Sequence, residues 1–393
     1  MRRVAVIGGG PAGAVAAERL ASAGLRTVVL DEKLAWEKPC GGGITYKAYS
    51  QYPFLIDNQT PKRIVSETYL TAGGAGPARL ELKRPLVIYS RYDLNRMLLE
   101  RAEKAGAQIE KERVLEMRRG PSQWQIKTRH GILEADYCVL ATGARNPLRE
   151  FGTEWRAADT MYALGYYVPS QQEHIDIQFL PHLEGYIWVF PRCGHLSVGI
   201  CGKGEPASKL RTRLEAYMRH KGIGYKDAAF YGHMLPSLEA SAWPANRVSG
   251  EGWLAAGDAA GLVDPITGEG LYYAIRSGDL ASRILLDDAH EPAAKPHAYR
   301  ALVQSDFGHD LAFAARIAKR IFLGSFLWAP VPTRMVGFLN RSPRFNELMQ
   351  DLFAGTQGYL DLKQRLLQSL NGTLHEVIMS FFFGRLIPNV KRA

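Results

Sequence analysis

The first third of the chain alternates apolar strand patterns with helical ones. Residues 3–7 and 27–30 are mostly apolar and rich in β-branched side chains, which is typical of buried parallel strands. An Ala-rich helical pattern lies between them, and two later apolar runs, 137–141 and 253–256, have the same strand character. Because buried parallel strands connected by helices form doubly wound sheets, we predict a Rossmann-type α/β domain.

The middle of the chain changes to a period of two, which is typical of antiparallel strands with two unlike faces. Within residues 160–200, the side chains of Tyr186, Trp188 and Phe190 fall on one face of one strand, which is followed by Pro191. Two interpretations are open. The aromatic side chains either pack on a core or line a tunnel for an apolar substrate.

Helical periodicity is present at 91–106 and returns after residue 293. The predicted architecture is α/β (α+β): a Rossmann-type dinucleotide-binding domain with an inserted antiparallel-sheet substrate domain and a helical C-terminal subdomain. The predicted boundaries are 1–74, 91–157 and 246–290 for the discontinuous nucleotide-binding domain, 75–90 and 158–245 for the substrate domain, and 291–393 for the C-terminal subdomain.

The loop after the first predicted strand carries a glycine motif that matches a phosphate-binding turn. In this motif Gly8 permits a tight turn, Gly10 lets the backbone approach a pyrophosphate, and Gly13 lets the helix pack closely on the strand. The N–H groups and the dipole at the start of the helix attract phosphate. The predicted cofactor contacts here are Gly8, Gly10, Pro11, Ala12 and Gly13.

An acidic residue follows the second predicted strand. Asp31 lies about 20 residues beyond the glycines, at the position expected for a carboxylate that binds a ribose hydroxyl. The adjacent Glu32 is an alternative ribose ligand. Since strand, turn, helix, strand and acidic residue occur in this order, the segment predicts a dinucleotide site rather than an ordinary glycine-rich turn.

A second glycine-rich segment follows the strand predicted at 253–256. Gly257 and Asp258 begin it, and an acidic residue at a strand end can bind a sugar-alcohol hydroxyl. The backbone N–H groups near Gly268 and Gly270 can face an electron-rich ring carbonyl. This segment therefore returns the chain to the nucleotide-binding domain.

Two single residues are further candidates for cofactor contact. Gly143 follows the strand predicted at 137–141, and ligands of such sheets bind at the carboxyl ends of the strands. Arg91 begins the helix predicted at 91–106, where a cation is unfavourable for the helix dipole. Contact with a bound anion explains Arg91, and a surface position is the alternative.

The loop from Lys38 to Ile44 contains three consecutive glycines, which let a backbone pass close to a flat ligand. Cys40 and Gly41 lie in this loop. Cys40 is either a proton donor or a small buried residue, and the pattern does not choose between these roles.

The net charge of +10 is concentrated near the end of the 393-residue chain. From residue 311 onward, eleven basic and four acidic residues give a net charge of +7 in a segment rich in Phe, Leu and Trp. Such a segment either contacts an anionic membrane surface or forms helices with a solvated basic face. Nucleic-acid binding is less favoured, because no recognition module accompanies the charge.

The cysteines and the apolar runs indicate a cytoplasmic protein, peripheral at most to a membrane. The four cysteines lack the spacing of a metal site and the density of a disulfide scaffold, so no metal is predicted. The first strand begins too early for a signal peptide, and no apolar run reaches the roughly 20 residues that span a bilayer.

The two glycine-rich motifs, Gly8 to Gly13 and Gly257 to Gly270, resemble the FAD-binding signatures of the p-hydroxybenzoate-hydroxylase-like flavoproteins, in matching order across most of the chain. Three further features resemble the geranylgeranyl reductase family within that group. These features are Pro39 to Gly43, the aromatic strand Tyr186 to Pro191, and the basic helical tail containing Leu348 to Leu367.

The resemblance implies noncovalent FAD and reduction of isoprenoid double bonds on a lipid or pigment precursor. By position, Cys40 matches the flavin-facing cysteine of the family, and Tyr186, Trp188, Phe190 and Pro191 match its substrate-cavity motif. Cys40 and Tyr186 are alternative proton donors. Trp188 is the third predicted catalytic residue, because the face of its ring can stabilise the positive charge that develops on the alkene. Electrons come from NADPH or from a ferredoxin-like protein, since the chain has no second convincing dinucleotide motif.

The alternatives with the same fold are FAD-dependent monooxygenases and halogenases that act on aromatic substrates. Many hydroxylases carry Asp-Gly where this chain has Thr142 and Gly143, and halogenases usually carry Trp where it has Ala14. A non-enzymatic flavoprotein electron carrier is a different class, and it would have little use for an aromatic tunnel.

Overall fold

A computed structural model describes residues 2–148, 150–362, 364–366 and 372. The strands are β1 Arg3–Ile7, β2 Arg26–Leu30, β3 Gly43–Ile44, β4 Lys62–Ala72, β5 Ala75–Tyr89, β6 Gln108–Glu110, β7 Val114–Arg119, β8 Trp124–Thr128, β9 Ile132–Ala135, β10 Tyr137–Leu140, β11 Thr160–Val168, β12 Ile175–Phe179, β13 Glu184–Pro191, β14 Leu196–Lys203, β15 Ala229–Pro236, β16 Ser249–Gly250, β17 Trp253–Ala255, β18 Ser325–Phe326 and β19 Ala329–Pro330. The α-helices are α1 Pro11–Ser22, α2 Tyr46–Gln51, α3 Arg91–Lys104, α4 Ala207–His220, α5 Leu271–Leu286, α6 Lys295–Val303, α7 His309–Leu323, α8 Val331–Leu339 and α9 Pro343–Ala354, and the π-helical turn Gln304–Gly308 joins α6 to α7.

The chain forms two compact units, each built from three segments. The first unit comprises Met1–Lys38, Arg91–Thr160 and Met234–Ala312, and the second comprises Pro39–Ser90, Met161–His233 and Phe313–Ala393. These units differ from the predicted domains in three ways. Residues 158–160 and 234–245, predicted in the substrate domain, belong to the first unit. Residues 39–74 group with the antiparallel sheet instead of the nucleotide-binding segments, and residues 291–393 divide at residue 312 instead of forming a separate subdomain.

The first unit contains the predicted Rossmann-type sheet, which is confirmed. Its strand order is β16-β17-β10-β1-β2-β6, and all neighbours are parallel except the edge pair of β16 and β17. Helix α5 packs very closely on α1, because a Cβ atom at Gly278 would lie 2.2 Å from the carbonyl oxygen of Ala12. This contact brings the two glycine-rich segments of the sequence together in one unit.

The second unit contains an eight-stranded sheet of order β15-β11-β14-β13-β12-β4-β5-β3. Its β4–β5 hairpin is antiparallel, with Lys62 opposite Tyr89, and residues 75–89 form the single strand β5. Strand β4 pairs in parallel with β12, with Thr68 opposite Ile175. That pairing is the reason that residues 62–89 belong with this sheet.

The two faces of the second sheet have different partners. One face forms a core with α4, made of side chains from β11, β13, β14 and the helix, among them Leu164, Ile187, Val198, Ile200, Leu210 and Leu214. Alternation along β13 puts Tyr186, Trp188 and Phe190 on the opposite face. We call Phe179, Tyr186, Trp188 and Phe190 the aromatic face.

Helices α7, α8 and α9 confirm the helical character predicted for the C-terminal part of the chain. Gln350 of α9 contacts the β4–β5 hairpin, since its Nε2 donates to the carbonyl oxygen of Glu81 at 2.6 Å. A short hairpin, β18 and β19, interrupts the helices and has no counterpart in the predicted pattern. The residues of the predicted tail that lie outside the described residues include Lys363, Leu367, Glu376, Arg385, Lys391 and Arg392. No helix in the described part of the chain is long and apolar enough to cross a membrane.

Candidate active site

The turn between β1 and α1 is enclosed by backbone on two sides. Gly8 has a φ of +108°, and a Cβ atom there would lie 2.2 Å from the carbonyl oxygen of Ala141. A Cβ atom at Gly13 would lie 1.9 Å from the carbonyl oxygen of Gly8, so neither position has space for a side chain. Gly10 caps α1, ahead of Pro11, and no atom lies within 4 Å of a Cβ atom built there. The turn therefore has its open side at Gly10, where a phosphate would approach the helix start.

Asp31 lies beside this turn and shapes the neighbouring loop. Its Oδ2 accepts a hydrogen bond from the Gly9 N–H at 2.7 Å, and its Oδ1 accepts from the Lys33 N–H at 2.7 Å. Glu32 instead lies 3.7 Å from the guanidinium of Arg113 with about half of both side chains exposed. Asp31 therefore lies against the glycine turn, whereas Glu32 lies beside a surface arginine.

Arg91 is a buried cation at the start of α3. Glu37 accepts hydrogen bonds from the Arg91 N–H at 2.9 Å and the Tyr92 N–H at 3.2 Å, so a carboxylate caps this helix. The Arg91 side chain donates through Nη2 to Asn95, while its Nε is buried without a hydrogen-bond partner among the described residues. An unsatisfied buried cationic donor fits an anionic group of a bound ligand.

Asp258 follows β17 and forms an ion pair that the sequence pattern did not predict. Its Oδ2 lies 2.8 Å from the Lys38 Nζ, and both side chains are mostly buried. Gly257 precedes it with a φ of +62°, and the Gly257 N–H donates to the Ser277 Oγ at 2.9 Å. The carboxylate is thus held at a strand end of the first unit.

The remaining predicted cofactor contacts of the first unit lie in loops, and two of them have a positive φ that favours glycine. Gly268 has a φ of +70°, and its N–H donates to the carbonyl oxygen of Asp264 at 2.9 Å. Gly270 caps α5, and a Cβ atom there would lie 3.4 Å from Oδ1 of Asp258. Gly143 has a φ of +80° and open space around its Cα. Ala12 packs with the small residues Ala141, Ala256 and Ala274, which bring three of these loops close together.

Together, the open glycine turn, the unsatisfied Arg91 Nε and the anchored Asp258 fit a dinucleotide such as FAD. With such a cofactor bound, the turn and Arg91 would supply donors for the pyrophosphate, and the carboxylates would supply acceptors for hydroxyl groups. All of these residues belong to the first unit.

The cysteine loop of the second unit, residues 39–43, packs on the aromatic face. A Cβ atom at Gly41 would lie 3.1 Å from ring carbons of Phe190, so the ring occupies the space where a side chain would be. Gly42 has a φ of +86°, and a Cβ atom there would lie 2.1 Å from the carbonyl oxygen of Tyr89. The Gly42 N–H donates to the Cys40 Sγ at 3.3 Å. The loop thus brings Cys40 to the strand that carries the aromatic side chains.

The aromatic face combines packing with partial exposure. Tyr186 lies 6.3 Å from Trp188 and 6.4 Å from Phe179, measured between ring centroids. Trp188 is 6% exposed and covers Gly199 of β14, where a Cβ atom would lie 2.2 Å from the indole. Tyr186 and Phe190 are only partly buried. Trp188 therefore packs against the sheet, while its two neighbours keep surface for a ligand.

Sequence reasoning missed three polar residues around the cysteine loop. The Arg192 guanidinium donates to the carbonyl oxygens of Cys40 and Gly41, and the Ser197 Oγ donates to that of Cys40 at 3.1 Å. The Tyr231 hydroxyl lies 3.0 Å from the Ser197 Oγ, and burial raises the pKa of Tyr231, so this phenol stays protonated at neutral pH. Arg192 lies two residues after Phe190, so the alternation that begins at Tyr186 could have placed it on the same face. Ser197 and Tyr231 belong to other strands, and no pattern in the sequence links them to the cysteine loop.

Comparisons with known proteins point to flavoproteins. The family described as pyridine nucleotide-disulphide oxidoreductase matches residues 2–160. A chloroplastic geranylgeranyl diphosphate reductase of Arabidopsis thaliana is 30% identical over 315 residues, which cover 72% of this chain and 66% of that protein. A digeranylgeranylglycerophospholipid reductase of Methanothermobacter thermautotrophicus is 29% identical over 312 residues, covering 72% of this chain and 75% of that protein. This chain thus spans slightly less than two thirds of the plant protein.

Solved structures share the fold. A geranylgeranyl bacteriochlorophyll reductase-like protein of Thermoplasma acidophilum matches with a TM-score of 0.76 at 20% identity. The match covers 97% of this chain and 98% of that protein's chain. A flavin-dependent brominase has a TM-score of 0.68 at 16% identity and covers 90% of this chain and 93% of its own. The fold alone therefore does not distinguish a reductase from a halogenase.

Proposed function

Because the chain belongs to the geranylgeranyl reductase family of FAD-dependent oxidoreductases, we propose that it saturates isoprenoid carbon-carbon double bonds of a lipid or pigment precursor. The names of its relatives share the geranylgeranyl group and differ in the group attached to it, diphosphate in one and glycerophospholipid in the other. The proposed substrate is therefore defined by its isoprenoid chain.

The observation that carries the proposal is the packing of the cysteine loop on the aromatic face. An unactivated alkene needs a proton at one carbon while hydride reaches the other, and positive charge develops on the more substituted carbon. An acid and aromatic rings are the side chains that suit this chemistry, and Gly41 packs directly on Phe190. Aromatic faces stabilise a nearby cation by about 2 kcal/mol when water is excluded.

In the proposed reaction, FAD when bound and reduced supplies the hydride. The Cys40 thiol holds the proton and transfers it to the alkene carbon that does not receive the hydride. The partly buried rings of Tyr186 and Phe190 bind the isoprenoid and exclude water. Tyr186 is the alternative acid, because its phenol belongs to the same face.

The second candidate function is that of a halogenase or monooxygenase, which the similarity of the fold to a flavin-dependent brominase favours. Both of these activities need oxygen and an aromatic substrate, whereas isoprenoid reduction needs neither. The relatives with reductase names support reduction as the better reading.

The experiment is anaerobic incubation of the dithionite-reduced holoenzyme with geranylgeranyl substrates that carry different head groups, followed by mass spectrometry. We expect products that have gained two hydrogens for each reduced double bond. An unchanged isoprenoid, together with oxygen-dependent hydroxylation or bromination of an aromatic compound, would replace this proposal with the alternative.

The proposed electron donor is NADPH or a ferredoxin-like protein. Stopped-flow measurement of flavin bleaching under nitrogen separates the two, because NADPH should bleach the flavin directly if it is the donor. Bleaching that requires a reduced ferredoxin would identify a ferredoxin-like protein as the electron donor.

We further propose that the protein binds reversibly to the cytoplasmic face of an anionic membrane, since its long isoprenoid substrates are nearly insoluble in water. The β18–β19 hairpin supports this proposal. Its tip consists of Leu327 and Trp328, which both have positive φ, and Trp328 is 97% exposed. Arg334 donates to the carbonyl oxygens of Phe326 and Leu327, which keeps a cation next to the apolar tip.

Co-sedimentation with anionic liposomes tests the membrane proposal. Wild-type protein should sediment with them, and added salt should weaken binding because charge is screened over roughly 8 to 10 Å. Trp328→Ser and charge reversal at the exposed Lys319 and Arg320 should each weaken binding. The matched control is charge reversal at the exposed Lys221 and Lys226, which should not. Wild-type protein that stays in the supernatant at low salt would contradict the proposal.

A further inference from the structure

A buried arginine lies at the end of the aromatic strand. Arg192 is 1% exposed, which is rare for a charged side chain. It follows Phe190 by two residues and so continues the alternation that begins at Tyr186. A buried guanidinium requires hydrogen-bond acceptors, and the acceptors it has identify its role.

Two of these acceptors are successive carbonyl oxygens of the cysteine loop. The Nη2 of Arg192 donates to the carbonyl oxygen of Cys40, and its Nε donates to that of Gly41 at 3.4 Å. The guanidinium carbon also lies 5.4 Å from the centre of the Tyr167 ring. A planar fork can bind two neighbouring carbonyls at once, which the single ammonium of a lysine does less well.

Other contacts leave the loop little freedom. Ser197, which is fully buried, donates to the same Cys40 carbonyl oxygen at 3.1 Å. On the other side, the Tyr89 N–H donates to the Gly42 carbonyl oxygen at 3.0 Å, and the Gly42 N–H donates to the Cys40 Sγ. The backbone of Cys40 is therefore bound from the sheet, and its sulfur is oriented by the following turn.

We propose that Arg192 is a positioning residue, which holds the Cys40 backbone against the aromatic strand so that the thiol keeps one orientation. The proposal rests on the proposed role of Cys40 for its effect on turnover, but not for its effect on the thiol itself. Loss of Arg192 would leave the carbonyls of Cys40 and Gly41 without their charged donor, and the thiol would sample other orientations.

The test measures Cys40 directly, by its alkylation rate in the FAD-loaded full-length protein. A Cys193→Ser background removes the exposed cysteine. Cys138 and Cys201 are buried, and burial raises the pKa of Cys201 to about 12, so neither should react. Rates with a neutral alkylating reagent are measured from about pH 6 to pH 9, which brackets the ordinary thiol pKa near 8.5.

We expect Arg192→Met to change the Cys40 alkylation rate by about threefold or more, since thiol reactivity follows its surroundings. Turnover should fall by about tenfold or more with little change in KM, because misplacement of a reacting group acts on the chemical step. Arg192→Lys should give a smaller change of the same kind. The control is Arg213→Met, which removes an arginine that donates to Pro181 and Glu205 in the same unit and should leave both readouts unchanged.

Unchanged Cys40 alkylation in a folded, FAD-retaining Arg192→Met protein would overturn the proposal. If that variant does not fold, Arg192→Lys and Ser197→Ala decide in the same way, and unchanged alkylation in both overturns it. A wild-type protein that reduces no isoprenoid would refute the proposed function, while a changed alkylation rate in the Arg192 variants would still support positioning.

Discussion

The candidate binding sites of the two compact units are built in different ways. In the first unit, the glycine turn is made of backbone, and its shape depends on the absence of side chains at Gly8 and Gly13. In the second unit, the candidate site consists of side chains from several strands around the Cys40 loop. A backbone site can be recognised within one short segment, whereas a side-chain site depends on strand register. The following variants test this difference.

The largest expected effect is that of Cys40→Ser on turnover. A hydroxyl is a much weaker acid than a thiol, and general acid catalysis contributes about 10²–10⁴-fold, so alkene reduction should slow at least tenfold. FAD should remain bound, because the cofactor motifs lie in the first unit. Single-turnover rates with reduced enzyme measure this effect. Unchanged turnover, with slow reduction in Tyr186→Phe, would move the acid to Tyr186.

In the first unit, a single methyl group should be enough to disrupt the glycine turn. Gly13→Ala places a Cβ atom 1.9 Å from the Gly8 carbonyl oxygen, and we expect it to lower the free energy of unfolding by about 3 kcal/mol. Urea unfolding measures this change. The matched control, Gly10→Ala, has open space and should remain stable while binding FAD more weakly. Equal stability of both variants would contradict the described packing of α1.

Asp258→Ala should weaken FAD retention without preventing folding. A hydrogen bond to a charged group contributes roughly 1.5 to 3 kcal/mol, which is about tenfold to more than a hundredfold in Kd. Reconstitution of the apoprotein, followed by flavin fluorescence, gives this value. Unaltered FAD affinity in a folded variant would show that Asp258 does not bind the cofactor.

The smallest expected effect concerns the packing of Trp188 on β14. Gly199→Ala puts a Cβ atom 2.2 Å from the indole and should destabilise the protein, whereas the same change in a Trp188→Ala background should cost less. Residues in contact show coupling of about 0.5 to 3 kcal/mol in such double-mutant cycles. Thermal unfolding of the four proteins gives the coupling. Strictly additive effects would show that Trp188 does not cover Gly199.

The sequence by itself determined the features that are local. The glycine turn, the strands of the parallel sheet and the acidic positions Asp31 and Asp258 all follow from short segments with a defined order of residue types. The same holds for the alternation that unites Tyr186, Trp188 and Phe190 on one face, because a strand has a period of two. Each of these predictions needs only the residues of one element and its flanking turn.

Only the tertiary structure decided which distant residues meet. The contact of Arg192 with the Cys40 loop joins positions about 150 residues apart, and the ion pair of Lys38 with Asp258 joins positions 220 apart. The assignment of residues 39–74 to the second unit likewise depends on the pairing of β4 with β12. The physical reason is that pairing register and side-chain packing are set by many weak contacts between elements, and periodicity within one element does not specify its neighbours.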